Sequence, residues 1–227
     1  MPTTLENLIE RHARYRGDRL AVVCDDQRLN WAQFNAAVNR VGNALQARGI
    51  GKDDKVATAL PNSMDLLVIY WATVSIGAVL VPLSPLLKAS GLINLLNNAD
   101  VRLVFLSQAL LTELGARRAE IGSIDGANYI TLGEASSGEA SYAAFIVGSL
   151  ETPPERPDIS QQDLFNIVYS SGTTGLPKGI MHSHQVRANY GSHFASSFRM
   201  TPESIVLHTG SIVFNGAFVT LMPCFFL

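Results

Sequence analysis

The sequence predicts an α/β fold of layered, mostly parallel sheets with helices on both faces, and three observations carry that prediction. Helix-period and strand-type segments alternate along most of the 227 residues, and parallel neighbours need the crossover connections that such alternation supplies. The strand segments, among them "AVLVP" and "LFNIVYS", are short and apolar throughout, as buried strands are. Apolar residues make up 47% of the chain and charged residues only 16%, which implies a deeply buried core or an interface whose partner is missing.

Apolar residues recur at helical spacing in "TTLENLIERHARY"; "LAVVCDD" and "QRLN" then form a hairpin through Asp25-Asp26. Asn30 caps the next helix, whose inner face is Trp31, Phe34, Val38, Val41 and Leu45 and which Gly49 stops. There follow the strand "DKVATAL", a helix from about Asp65 to Ser75, the strand "AVLVP", a helix around "GLINLLNNA", the strand "RLVFLS", a helical stretch "ALLTELGARRAE" and the strand "ANYITLG". The run over residues 66–87 is long enough to cross a bilayer. Gly77 interrupts it and Pro82 and Pro85 would break a helix, so it reads as buried helix, turn and buried strand, with no membrane span. Residues 151–158, "ETPPERPD", are a proline-rich connector. Beyond it the strand "LFNIVYS" runs straight into a glycine-rich loop, and "GIMHSH" resumes as a strand before a helix from about Gln185. Trp31, Phe34, Trp71 and Phe105 fall on apolar faces and read as core; Asp25-Asp26 and Asp53-Asp54 read as turn acids.

Charge and cysteine content bound the function. A formal net charge of −2 without any Lys/Arg run argues against a nucleic-acid surface but leaves small anions open as ligands. Cys24 and Cys224 lie near opposite ends without C-x-x-C spacing, and the N-terminus lacks the apolar core of a signal peptide. A cytoplasmic location is expected.

The densest chemistry is "YSSGTTGLPKG", residues 169–179. Glycines 172, 175 and 179 allow left-handed angles and close approach, so successive backbone N–H groups can turn inward around an anion. Ser170, Ser171, Thr173 and Thr174 add rotatable hydroxyl donors, Lys178 adds a full charge, and Pro177 stiffens the exit. The order suits a clamp for a nucleotide polyphosphate. An ordinary surface turn uses the same residue types. A Walker loop does not fit, since Lys178 is followed by Gly179 and a strand, not by Ser/Thr and a helix.

That string resembles the phosphate-binding signature of the adenylate-forming superfamily, the acyl- and aryl-CoA synthetases, luciferases and peptide-synthetase adenylation domains. Residues 59–105 resemble the CoA-ligase branch in particular. The resemblance implies ATP-dependent activation of a carboxylate as an acyl-adenylate, then thioester formation with coenzyme A, in fatty or aryl acid metabolism. It implies ATP, Mg²⁺ and coenzyme A as cofactors, and Ser170, Ser171, Gly172, Thr173, Thr174, Gly175 and Lys178 as the ATP phosphate-binding residues. It also implies that residues 52–200 form a subdomain carrying the loop, while 1–51 and 201–227 are incomplete pieces of a second subdomain. Enzymes of that family are roughly twice as long, so the chain is expected to be a truncated N-terminal part that lacks the C-terminal domain. On that expectation it holds no assigned catalytic residue, is inactive alone, and leaves apolar surface uncovered for self-association. Where CoA ligases of the family often carry an aromatic-His pair, this chain has Phe214-Asn215, which the resemblance places in the substrate region. Asn215 cannot be protonated, and capping a helix start is an alternative role for it. His182, His184, His193 and His208 offer no cysteine-supported metal set, and His184 suits the helix start after the strand. The alternative to an enzyme is a non-catalytic nucleotide-binding or interaction module derived from that family.

Overall fold

The computed structural model describes residues 4–133, 141–170 and 177–227. Helix α1 (Leu8–Arg16) leads into the antiparallel hairpin of β1 (Leu20–Cys24) and β2 (Gln27–Asn30), turned by Asp25 at φ +51°. Aspartate is among the few residues that tolerate that angle. Helix α2 (Trp31–Ala47) opens with a capping box: Gln33 N–H donates to Asn30 Oδ1 at 2.8 Å, and Asn30 N–H donates to Gln33 Oε1 at 3.0 Å. Gly49, at φ +73°, closes it by donating to the Gln46 carbonyl while Ile50 N–H reaches the Leu45 carbonyl.

The expected alternation follows in β3 (Lys55–Ala59), α3 (Met64–Ser75), β4 (Val79–Pro82), α4 (Ala89–Asn98), β5 (Val101–Ser107), α5 (Gln108–Leu114) and β6 (Tyr129–Leu132). The run over 66–87 is helix, turn and strand. Gly77, at φ +75°, ends α3 with Gly77 N–H on the Val74 carbonyl and Ala78 N–H on that of Thr73. Among the described residues no helix is long and apolar enough to cross a membrane. The stretch read as one helix over "ALLTELGARRAE" is broken at Gly115, whose φ of +47° cannot continue an α-helix, and residues Gly115–Glu120 form a 3-10 segment. A short helix α6 (Tyr142–Ile146), capped by Ser141, has no counterpart in the sequence reading.

The chain continues with β7 (Leu164–Ser170), β8 (Lys178–Ser183), α7 (His184–Ser197), a 3-10 turn at Asn215–Ala217 and α8 (Phe218–Phe226). Six strands form one sheet in the order β6-β5-β3-β4-β7-β8, parallel except for the antiparallel pair of β7 with the edge strand β8. Strand residues alternate between two clusters. Val56, Leu80, Leu103, Phe105 and Phe165 meet α1, α2, α3 and α8, whereas Ala57, Val79, Val81, Leu106 and Ile167 meet α4 and α5. Trp31, Phe34, Trp71 and Phe105 all lie in the first cluster. A fully buried Leu, Ile or Phe side chain contributes about 1.5–3 kcal/mol, against about 1 kcal/mol for a helix cap, so the two faces fix the layers and the caps only trim the helices.

The connector over 151–158 has no helix or strand but is strapped to α2. Asn39 Nδ2 donates to the Glu151 carbonyl at 2.8 Å, and Asn43 Nδ2 to that of Thr152 at 2.9 Å.

Candidate phosphate-binding site

The apolar run of β7 is threaded between β4 and β8, with Phe165, Asn166, Ile167 and Val168 all buried. Asn166 pairs with Leu80 on β4 and with His182 on β8, and the hairpin register runs on through Val168↔Ile180 and Tyr169↔Gly179 to Ser170↔Lys178. Strand β7 therefore ends at Ser170 and β8 begins at Lys178, both exposed at the rim of the sheet. Ser171, Gly172, Thr173, Thr174 and Gly175 lie outside the described residues.

Two contacts fix the rim. The Tyr169 hydroxyl donates to Asn98 Oδ1 at 2.6 Å and ties the end of β7 to the end of α4; burial, reinforced by Asp100, pushes its pKa up. Gly179 does not use the left-handed freedom read for it, since it is absent from the positive-φ residues. What it supplies is space: a methyl there would stand 3.0 Å from Ile167 Cγ2 and 3.3 Å from the Tyr169 ring.

The histidines separate into individual structural roles. His184 is the first residue of α7, but the cap is Ser183, whose side chain accepts from Val186 N–H. His184 Nδ1 accepts from Leu5 N–H at 3.1 Å, and burial lowers its pKa to about 4. His182 is also buried and lowered to about 4, first by burial and then by the Arg187 charge. His208 Nδ1 lies 3.1 Å from Thr220 Oγ1. Among the described residues no group of three His, Cys, Asp or Glu side chains is arranged to hold a metal.

Phe214 is 56% exposed, and Asn215 begins the 3-10 turn. The capping role weighed for Asn215 is not what its side chain does, because Phe214 holds the cap position and no side-chain cap bond forms. Instead Asn215 Nδ2 donates to the Tyr190 hydroxyl at 3.4 Å, and its buried Oδ1 has no partner among the described residues.

Two residues escaped the sequence reading. Arg187 on α7 and Asn166 on β7 are both fully buried and joined by a bond from Arg187 Nε to Asn166 Oδ1 of 3.0 Å. The signal was Asn166 itself, a lone amide inside the apolar run "LFNIVYS", since a buried amide needs a polar partner.

Known proteins resemble this chain over most of its length. Phosphinothricin tripeptide synthetase PhsC of Streptomyces viridochromogenes is 31% identical over 98% of this chain and 19% of its own length. The 3-hydroxybenzoate--CoA/4-hydroxybenzoate--CoA ligase of Thauera aromatica is 30% identical over 74% of this chain and 32% of its own. The crystal structure of ATP-bound MatB from Rhodopseudomonas palustris superposes with a TM-score of 0.83 at 29% identity, covering 100% of this chain and 44% of that one. The chain thus spans less than half the length of each. The family model described as AMP-binding enzyme matches residues 9–227, and with that match over nearly every residue the chain belongs to the AMP-binding enzyme family.

Proposed function

We propose that this chain grips the β- and γ-phosphates of ATP within an enzyme that activates a carboxylate as an acyl-adenylate and then passes the acyl group to coenzyme A. The observation that carries the reading is the pairing of Ser170 with Lys178, which brings these two residues together where a buried strand reaches the surface. In the first step a carboxylate oxygen attacks the α-phosphorus, its bond to the bridging oxygen breaks, and pyrophosphate leaves. In the second the thiol sulfur attacks the acyl carbon and gives up its proton, and AMP leaves with the electrons of the carbon–oxygen bond. Lys178 and the hydroxyls of Ser170, Ser171, Thr173 and Thr174 neutralise charge building on the departing pyrophosphate and take no covalent part. Mg²⁺ would enter with the nucleotide, since the described residues supply no cluster of three ligands for it. In this reading residues 52–200 carry the loop, 1–51 and 201–227 belong to a neighbouring subdomain, and residues 1–227 alone bind ATP without completing turnover.

Calorimetry tests the reading. Lys178→Ala removes a charge-assisted contact of about 1.5–3 kcal/mol and should weaken ATP binding by roughly ten- to 150-fold, while AMP, lacking the gripped phosphates, changes little. Equal ATP affinity in the variant overturns it. Pyrophosphate release with ATP, Mg²⁺, carboxylates and coenzyme A should stay at background for residues 1–227, and sustained release would overturn the no-turnover part of the reading.

The second reading is a non-catalytic nucleotide-binding or interaction module derived from that family, and it accommodates exposed apolar groups as the first does. Ile205 and Leu207 are 94% and 86% exposed on a stretch outside any helix or strand. Apolar groups so placed favour self-association, which sedimentation at rising concentration would detect and Ile205→Lys with Leu207→Lys would abolish.

A further inference from the structure

Arg187 is fully buried, yet no carboxylate pairs with it among the described residues. Among the described residues only Nε has a hydrogen-bond partner, Asn166 Oδ1; Nη1 and Nη2 have none there. The guanidinium lies 4.0 Å from the Phe218 ring centroid and 4.9 Å from that of Tyr190. Burial lowers its pKa to about 10, so it stays charged at neutral pH. Stability does not account for such a group, since an apolar side chain of similar volume packs a core at least as well as an unpaired charge.

Its contacts do have a common geometry. Asn166 sits on β7, the strand that ends at Ser170, opposite His182 on the strand that begins at Lys178. Phe218 starts α8 directly after the Asn215–Ala217 turn. Tyr190, one turn along α7 from Arg187, takes the Asn215 amide hydrogen. One side chain therefore touches the hairpin that carries the phosphate loop and the elements that hold Phe214-Asn215. A cation on ring faces is held with little directionality, so it can follow a small shift of β7 while keeping the Asn166 bond.

We infer that Arg187 is a positioning residue that couples the two halves of the site, carrying a response from the Ser170–Lys178 hairpin to the Asn215 segment. This rests on the reading that ATP binds at that hairpin and the acyl group near Asn215. A coupling claim needs evidence that both ends respond to one element, and side-chain amide NMR of the ¹⁵N-labelled chain titrated with ATP and Mg²⁺ provides it. In the wild type, ATP should shift the Asn215 Nδ2 signals. Arg187→Met should bind ATP within about threefold of wild type but lose the Asn215 shift, and Arg187→Lys should keep part of it. Asn166→Leu, which removes the hydrogen-bond acceptor, should also lose the shift and stands in if Arg187→Met fails to fold. An undiminished shift in Arg187→Met or Asn166→Leu overturns the inference. So does a wild type that binds ATP with Asn215 silent, an outcome that leaves the phosphate reading intact. A wild type that binds no ATP brings down the phosphate reading and the inference with it.

Discussion

Ser170 and Lys178 are Cα partners in the last register pair of the β7/β8 hairpin, so both ends of the glycine-rich segment are anchored side by side on the sheet. The anchor depends on Gly179, next to Lys178, where the Tyr169 ring lies across the bare backbone.

Gly179→Ala is expected to disturb the rim more than its exposed position suggests. The added methyl meets Ile167 at 3.0 Å and a Tyr169 ring whose hydroxyl is already tied to Asn98. Overpacking of this sort costs about 1–3 kcal/mol. Urea unfolding should show a loss in that range, and ATP affinity should fall while the fold persists. Unchanged stability together with unchanged affinity would contradict the packing role.

Gly77 and Gly49 form a controlled pair. Both end helices at nearly the same angle, φ +75° and +73°, so alanine imposes a similar backbone penalty of about 1 kcal/mol at each. They differ in surroundings: a methyl at Gly77 would stand 3.0 Å from Pro157 Cγ and 3.3 Å from Ile159 Cδ1, while at Gly49 nothing lies within 4 Å. Chemical denaturation should therefore find Gly77→Ala more destabilising than Gly49→Ala by at least about 1 kcal/mol. Equal losses would mean that the connector over 151–158 gives way at little cost.

These cases also show why the layers were legible in the sequence and parts of the site were not. Asn30, Gly49 and Gly77 act through hydrogen bonds to residues a few positions away, so their roles can be read locally, as can the apolar runs of β4 and β7. Gly115 carries the same kind of signal, and its break in "ALLTELGARRAE" was missed because the apolar period of α5 runs up to it unbroken. The Ser170–Lys178 segment was legible as an ordered string of residue types. The bond between Arg187 and Asn166 spans two elements, and the contact of Arg187 with Phe218 joins α7 to α8; neither is set by spacing along the chain. Gly179 reads in sequence as a glycine free to turn left-handed, because a strand glycine facing an aromatic ring looks there like any loop glycine.

Acid should destabilise the fold well before its carboxylates titrate. His12, His182 and His184 are buried, and burial is the main cause that lowers each from 6.5 to about 4. For His184 the neutral form is the one required, since Nδ1 must accept the Leu5 N–H hydrogen bond and a proton there would break it. Between pH 6.5 and 4 the unfolded chain binds protons that the folded chain refuses, so stability falls as pH falls through that window and is complete above it. Each ring contributes at most about 1.4 kcal/mol per pH unit. Urea midpoints at pH 7.5, 6.5 and 5.5, a range in which Asp and Glu stay largely ionised, should drop steadily toward the acid end. His184→Asn keeps an acceptor within reach of Leu5 N–H but cannot be protonated, so it should flatten the drop by about a third of the three-ring total. A wild-type midpoint that stays level down to pH 5.5 would mean that these rings take up protons while folded, and the Leu5–His184 bond could not then be what holds the N-terminus to α7.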